Sequence, residues 1–196
     1  MKTLQLFAAA LAASLLLSGC KDSTQPPSDA KAAATVPVSI PAIEAEAVGF
    51  INGSSISART VYVFFDPQCP HCAALWTAAK PLRSQAKFVW IPVGLMNKTS
   101  ETQGAALLSS KDPVSAMDEH EASMTAGKGG ITADGDIEAK REVVRKNTKL
   151  MNRFGFASIP TIVAQHAQTG ALVTREGGLP TPELAKFLGL EVPSAN

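Results

Sequence analysis

Two cysteines separated by two residues, Cys69 and Cys72, are the side chains of this sequence best suited to covalent chemistry. They enclose Pro70 and His71, and the run follows an apolar stretch and opens a helical pattern. A thiol beside a helix N-cap can accept backbone N–H groups, and both the helix dipole and a protonated His71 favour its thiolate. Cys69 is therefore predicted to be a nucleophile with a lowered pKa. Cys72, one turn along the packed helix face, is predicted to be a buried resolving thiol.

This spacing predicts thiol–disulfide exchange. The Cys69 thiolate would attack a substrate disulfide and form a mixed disulfide, which Cys72 would resolve by attacking the Cys69 sulfur. Run in reverse, the same two cysteines would donate a disulfide to a substrate. A stabilised Cys69 thiolate is also a good leaving group, which makes the disulfide more oxidising. The motif by itself does not separate a reductase or isomerase from an oxidase.

Other roles for the cysteine pair fit less well. A disulfide that closes a two-residue loop constrains little of the unfolded chain, and haem attachment needs a histidine where Ala73 stands. A zinc site needs a second pair of ligands, whereas His120 and His166 are isolated and are expected at the surface or in loops. A copper-handling protein that uses both thiols and His71 stays open, although no Met-rich or His-rich tract accompanies the motif. No cofactor and no metal ion is expected.

The third cysteine, Cys20, follows an export-signal pattern. Lys2 gives a basic start, residues 6–17 form a short apolar core, and Leu-Ser-Gly precedes Cys20. These last residues resemble a bacterial lipobox, which implies that signal peptide 1–19 is removed and that acyl chains on Cys20 anchor the chain. An ordinary signal peptide or a membrane anchor is the alternative. Residues 20–41 are polar and rich in Pro and Ala, as in a flexible tether. The chain is thus expected in the periplasm, lipid-anchored to the cell envelope membrane.

The composition suits one globular domain over the remaining residues 42–196. The chain has 196 residues, of which 45% are hydrophobic, and its 18 basic and 17 acidic residues leave a net charge of +1. Such a balance produces no field that would attract nucleic acid, so no nucleic-acid partner is expected.

The elements that must position the motif alternate between strands and helices. Residues 61–65 and 88–93 are apolar on both faces, which is typical of strands buried on both sides. A short helix is predicted at 42–50, and a longer one from about 70 to 84 places an apolar stripe on its packed face. That stripe consists of Cys72, Leu75, Trp76, Ala79 and Leu82.

The second half of the chain completes an α/β pattern. Residues from about 95 to 155 are mostly helical, and two strands at 161–164 and 171–174 are joined by a turn at Gly170. A last helix is predicted to begin with Thr181 as its N-cap and a proline next. This order predicts a mixed sheet with a parallel front half, a hairpin at the end and a helical insertion between the second strand and the hairpin.

With Cys-x-x-Cys between a strand and a helix, and Ile159-Pro160-Thr161 before a hairpin, the chain resembles the thioredoxin fold. The helical insertion and several matching stretches narrow this resemblance to the DsbC/DsbG family of periplasmic thiol:disulfide interchange proteins, and to its DsbG branch. Those stretches are 61–72, Trp76, 109–113, 149–151 and 178–180. The resemblance implies that Cys69 is the nucleophile, Cys72 the resolving thiol and Pro160 a cis proline packed against the disulfide. It also implies that Ile159 and Thr161 contact the substrate.

The same resemblance implies an activity and its partners. Disulfides, or sulfenic acids, of exported proteins would be reduced or isomerised, and a membrane electron donor of the DsbD type would keep the dithiol reduced. Three features depart from that family. The stretch after Cys20 is too short for the family's dimerisation domain, so a monomer is expected. Pro70 and His71 resemble the inner residues of the oxidase DsbA, and Ile159 stands where the family is expected to have threonine.

Overall fold

Strands and helices alternate within residues 35–193, the part of the chain that the computed structural model describes. The predicted signal peptide, the lipidation site at Cys20 and most of the predicted tether lie outside these residues. The strands are β1 (Phe50–Gly53), β2 (Thr60–Phe65), β3 (Lys87–Pro92), β4 (Thr161–Gln165) and β5 (Leu172–Glu176). The helices are α1 (Ile40–Glu46), α2 (Pro70–Ala79), α3 (Ser100–Ser109), α4 (Pro113–Thr125), α5 (Glu138–Arg153) and α6 (Thr181–Leu188).

The strands form one mixed sheet in the order β1-β3-β2-β4-β5. β2 runs parallel to β3, whereas the other neighbouring pairs are antiparallel. The predicted mixed α/β sheet is confirmed, with its parallel pair, its terminal β4–β5 hairpin and three helices in the insertion. Because β2 is central, the residues that follow it emerge between the end of β3 and the start of β4.

Apolar side chains cover both faces of this sheet. On one face, α2 and α6 pack over a cluster that includes Cys72, Phe65, Trp76 and Trp90, with the two indole ring centroids 4.9 Å apart. On the other face, α1 and α5 cover a second cluster. A central strand that is covered on both sides needs apolar residues on both sides, which explains the continuous burial of Val61–Phe65.

The helix that carries the cysteines is shorter than predicted. α2 ends at Ala79, and a single 3-10 turn over Lys80–Leu82 follows it. Pro81 explains this end, since proline has no N–H to continue an α-helical ladder. The predicted apolar stripe is nevertheless correct, because all five of its residues are buried.

Two further elements differ from the sequence prediction. The cap of α6 is Pro180 and not Thr181, whose hydroxyl donates a hydrogen bond to the carbonyl of Ala78 instead. The expected helix at 42–50 is α1, which ends at Glu46, and Phe50–Gly53 form the edge strand β1 against β3. Among residues 35–193, no helix is long and apolar enough to cross a membrane.

Candidate active site

Cys69 caps the first turn of α2, just beyond the carboxyl end of the central strand β2. Its backbone is extended (φ −94°, ψ 115°), and its carbonyl accepts the N–H groups of Cys72 at 3.0 Å and Ala73 at 3.2 Å. Pro70 is the first helical residue, and both it and His71 are exposed. The two thiols are free, with Cys69 5% exposed and Cys72 fully buried. Both residues are therefore buried, Cys69 slightly less than Cys72, and the predicted burial of Cys72 is confirmed.

The two thiols differ sharply in acidity. A hydrogen bond from the Cys72 thiol is the largest cause that lowers the pKa of Cys69, which is about 6. Burial opposes this effect, while the backbone N–H groups of Cys72 and His71 and the charge of His71 contribute to the lowering. Burial raises the pKa of Cys72, and the adjacent Cys69 thiolate raises it further. At neutral pH the dithiol therefore holds a Cys69 thiolate stabilised by a Cys72 thiol.

The Ile159–Pro160 peptide bond is cis and lies opposite Cys69. The carbonyl oxygen of Ile159 is 3.9 Å from the Cys69 Sγ atom, so the turn before β4 reaches the sulfur. Ile159 is half-buried and Pro160 is buried. Thr161 is also fully buried, and its hydroxyl donates to the Ser158 carbonyl. The side chain of Thr161 therefore supports the turn, and the substrate contact expected for this residue stays a prediction.

Asp66 is a fully buried carboxylate that the sequence analysis did not identify. Its Oδ1 atom accepts the Gln68 N–H at 2.9 Å, and its Oδ2 atom accepts those of Leu95 at 2.6 Å and Met96 at 2.9 Å. Its carbonyl accepts the Cys69 N–H at 3.0 Å. A buried carboxylate requires such partners, and here they tie the loop after β3 to the residues before Cys69. An acid directly after a buried strand is the sequence signal that could have revealed it.

Glu176, the last residue of β5, holds the turn that contains the cis bond. Its Oε2 atom accepts the N–H groups of Ala157 at 2.8 Å and Ser158 at 2.7 Å. The next residue, Gly177, donates its N–H to the Pro160 carbonyl at 2.8 Å. The pairing of β4 with β5 brings Glu176 to these groups, and no local pattern in the sequence marks it.

His120 on α4 is fully buried, so the expectation of a surface or loop position was wrong. Its Nε2 atom lies 2.7 Å from the Pro67 carbonyl oxygen, and its Nδ1 atom accepts the Ile131 N–H at 3.2 Å. This pairing requires a neutral ring with its proton on Nε2. Burial lowers the pKa of His120, in keeping with a neutral ring. His120 therefore braces the segment before Cys69, whereas His166 lies half-buried in the loop after β4.

A polar network joins the residue before Cys69 to the helical insertion. The Gln68 amide donates to the side chain of Gln103 and, at 3.4 Å, to the Gly129 carbonyl. It also accepts a hydrogen bond from the Asn97 amide at 3.1 Å. Gln103 is buried and donates to the same Gly129 carbonyl at 2.7 Å. These hydrogen bonds hold the residue before Cys69 in place from the side of α3 and α4.

Glu121 brings a second carboxyl group toward the motif. It lies on α4 between Met117, which belongs to the core cluster of the cysteines, and Met124, whose sulfur contacts the residue before Cys69. Residues at this helical spacing share one face. Burial, followed by the charges of Cys69 and Asp118, raises the pKa of Glu121 to about 7. The charge of Cys69 is therefore one of the causes that raise the pKa of this carboxyl group.

The part of the chain that the structure describes contains no cluster of side chains arranged as a metal site. No group of three or more His, Cys, Asp or Glu side chains within residues 35–193 is placed to hold a metal ion.

Known proteins share both the sequence and the fold of this domain. Residues 54–190 match the model of the thioredoxin-like domain family. The thiol:disulfide interchange protein DsbG of Pseudomonas aeruginosa is 35% identical over 142 residues, which cover 70% of this chain and 54% of that protein. DsbG of Escherichia coli K12 is 32% identical over 115 residues, which cover 57% and 46% of the two chains. This chain spans about half the length of the curated relatives it matches.

A solved structure shows the same architecture at low identity. The catalytic domain of Proteus mirabilis ScsC is similar with a TM-score of 0.57 and 15% identity, and the match covers 76% of this chain and 91% of that domain. At such identity the likeness concerns the fold.

Proposed function

This chain belongs to the thioredoxin-like domain family, and we propose that it is a thiol:disulfide oxidoreductase that acts on exported proteins through Cys69 and Cys72. The observation that carries the proposal is the pair of sulfurs at the start of α2. The Cys69 thiol has a pKa of about 6, and the fully buried Cys72 thiol stabilises its thiolate. No structural disulfide or isolated thiol needs this difference in acidity.

The exchange begins with the Cys69 thiolate. Its sulfur attacks one sulfur of a substrate disulfide, the substrate S–S bond breaks, and the other substrate sulfur leaves as a thiolate. Cys72 then loses its proton to solvent and attacks the Cys69 sulfur, which releases the second substrate sulfur as a thiolate. The substrate disulfide has gained two electrons, and Cys69 and Cys72 are left joined in a disulfide.

The cis turn provides a place for the substrate backbone. Within residues 35–193 the Ile159 N–H donates to no protein acceptor, while β4 begins its pairing two residues later. An extended substrate segment can therefore pair with Ile159 as an added strand beside Cys69. Main-chain pairing of this kind tolerates many sequences, which suits an enzyme that acts on several exported proteins.

Trapping in cells tests the proposed function. Cys72→Ala removes the resolving thiol, so mixed disulfides between Cys69 and substrates should accumulate and appear as thiol-sensitive adducts on non-reducing gels. Cys69→Ala is the matched control, because it removes a sulfur from the same motif but leaves only the buried Cys72. Equal adducts from both variants, or none from either, would contradict the assigned roles.

We propose reduction or isomerisation of disulfides, or reduction of sulfenic acids, as the direction of the reaction. The resemblance to the DsbC/DsbG family is the reason for proposing this direction, whereas the relatives, as thiol:disulfide interchange proteins, support exchange in general. Donation of a disulfide is the second candidate, and the lowered pKa of Cys69 favours it, because a stabilised thiolate leaves readily from its disulfide. The redox state of Cys69 and Cys72 in cells, measured by alkylation after acid quenching, separates the two. A reductase should be found mostly as the dithiol, and an oxidase mostly as the disulfide.

We propose that the protein is a periplasmic, monomeric lipoprotein attached through Cys20, and that a membrane electron donor of the DsbD type reduces it. The lipobox pattern before Cys20 supports the attachment, and the proposed donor follows only from the resemblance of the sequence to the DsbC/DsbG family. Metabolic labelling with palmitate should mark the wild-type chain and not Cys20→Ala.

Deletion of the donor should shift Cys69 and Cys72 to the disulfide. Sedimentation of the domain should show a single copy.

A further inference from the structure

Glu121 lies on the face of α4 that contacts the residues on either side of the cysteine motif. On one side of it along α4, Asp118 accepts a hydrogen bond from the Trp76 indole of α2 at 2.7 Å. On the other side, the Met124 sulfur lies 3.5 Å from the side-chain nitrogen of Gln68. Gln68 and Trp76 flank the motif along the chain, so the stretch of α4 between these two contacts runs alongside the motif.

Glu121 is at the middle of that stretch. It is three residues from Asp118 and three from Met124, and its side chain leaves the helix between theirs, about 60° around the axis from each. Met117, one turn earlier on the same face, belongs to the apolar cluster that contains both cysteines. The half-buried side chain of Glu121 therefore projects from the contact face of α4.

No cation neutralises the Glu121 carboxyl group within residues 35–193. Lys80 is bound to Asp118 at 2.6 Å, and the Glu121 carboxyl group has no hydrogen-bond or salt-bridge partner in that part of the chain. Burial and the negative charges of Cys69 and Asp118 outweigh the charge of Lys80 and raise the pKa of Glu121 to about 7. Since the pKa of Cys69 is about 6, a Cys69 thiolate and a protonated Glu121 coexist between these two values.

We propose that Glu121 is the general acid that protonates the departing sulfur when Cys69 attacks a substrate disulfide. This role rests on the proposed function, because it concerns the first step of the same exchange. The Cys69 thiolate forms a bond to one substrate sulfur and the substrate S–S bond breaks. The electron pair of that bond and the Glu121 proton go to the other sulfur, which leaves as a thiol.

The attack itself makes Glu121 a stronger acid. It converts the Cys69 thiolate into a neutral disulfide sulfur, which removes one of the causes that hold the proton on Glu121. The carboxyl group thus becomes more acidic in the step that needs a proton, and as a half-buried group it regains a proton from solvent afterwards.

The basicity of the departing sulfur decides how much this acid contributes. The thiol of a free cysteine has a pKa of about 8.5, so a carboxyl group with a pKa of about 7 transfers its proton to such a thiolate favourably. An aromatic thiolate is much less basic and leaves readily without a proton. Glu121 should therefore accelerate exchange with alkyl disulfides and have little effect on exchange with aromatic disulfides.

The test measures the attack of the reduced full-length protein on two small disulfides, the alkyl disulfide of 2-mercaptoethanol and the aromatic dithiodipyridine. Acid-quenched samples are alkylated and analysed by mass spectrometry, so that the loss of free thiols gives the rate. At about pH 6.5, Glu121→Gln should react about tenfold more slowly than wild type with the alkyl disulfide. The two proteins should react equally fast with dithiodipyridine. In wild type, the ratio of the alkyl rate to the aromatic rate should fall between about pH 6.5 and pH 9, as Glu121 loses its proton.

Glu119→Gln is the matched control, because Glu119 is an exposed carboxylate on the same helix. It should keep the wild-type rates with both disulfides. Equal alkyl rates in Glu121→Gln and wild type, or a wild-type rate ratio that does not change with pH, overturn the role of Glu121. Equal slowing with both disulfides also overturns it, since a displaced helix would slow both reactions. If wild type reacts with neither disulfide, the proposed function fails and this inference fails with it.

Discussion

The Sγ atom of Cys69 lies 3.9 Å from the carbonyl oxygen of Ile159, although 90 residues separate the two in sequence. The contact joins the start of α2 to the turn before β4, and both emerge at the same end of neighbouring strands. The exchange site is thus composed of a local motif, which supplies the sulfurs, and a distant turn, which supplies the wall beside them. Separate predictions therefore follow for variants of the motif and for variants of the turn.

The hydrogen bond from Cys72 should control the acidity of Cys69 more than His71 does. Thiolate absorbance of the reduced protein should rise with a midpoint near pH 6. Cys72→Ala should move the midpoint toward the value of about 8.5 for a free thiol, since the largest stabilising contact is lost. Cys72→Ser keeps a hydroxyl donor and should move it less. His71→Ala should also raise it, but by less than Cys72→Ala, because its charge is a smaller cause. An unchanged midpoint in Cys72→Ala would refute this order.

Glu176 should act as a positioning residue for the cis turn. Glu176→Ala frees the exposed N–H groups of Ala157 and Ser158, which should cost about 0.5–1.5 kcal/mol of unfolding free energy because water can bind them instead. A displaced turn should also slow exchange with a protein substrate by roughly tenfold. The pKa of Cys69 should stay at about 6, since Glu176 is not among its causes. Glu176→Gln retains an acceptor oxygen and is the matched control; equal rates in the alanine variant and wild type would contradict the role.

His120 should make stability depend on pH. Burial places the pKa of the folded-state ring below the ordinary value of about 6.5, so the unfolded chain binds the proton first. Its contribution to stability is complete above about pH 6.5 and is lost as the pH falls below that value. The contribution of His120 is read as the difference between wild type and a His120 variant, because the raised pKa of Glu121 changes stability in the opposite sense over the same pH range. Denaturant titrations of the Cys69–Cys72 disulfide form measure this difference without any contribution from Cys69 titration.

Two histidine variants identify the source of that dependence. His120→Gln should lose less stability than wild type between about pH 7 and pH 5, because glutamine does not titrate there. His166→Gln replaces the half-buried loop histidine and should leave the slope as it is in wild type. An identical slope in His120→Gln would show that other groups produce the effect.

The residues before α1 should belong to the stable domain. Val36 donates its N–H to the Arg153 carbonyl at 2.9 Å, the Ser39 hydroxyl accepts the Ala42 N–H at 3.2 Å, and Val38 and Ile40 pack against the core cluster. A chain that starts at residue 42 should therefore unfold at lower urea than one that starts at residue 35. We expect a difference of about 2–4 kcal/mol from the lost cap and the lost apolar contacts. Equal midpoints would place the start of the domain at residue 42.

Local sequence patterns predicted the parts of this protein that depend on neighbours within about one helical turn. The spacing of Cys69 and Cys72, with Pro70 between them, defines a helix start with one sulfur at the cap and the next on the packed face. Continuous apolar residues identified β2 as a central strand, and alternation of strands and helices indicated the mixed sheet. These predictions succeeded because helix periodicity and strand burial act along the chain.

Tertiary structure alone decided which distant groups meet at the sulfurs. His120 looked like a surface residue because nothing near it in sequence shows that α4 packs over Pro67. Glu176 reaches the turn before Pro160 only through the β4–β5 register, and β1 is too short for its pattern to stand out. Hydrogen bonds between segments far apart in sequence depend on how the elements pack, and local pattern carries no information about that packing.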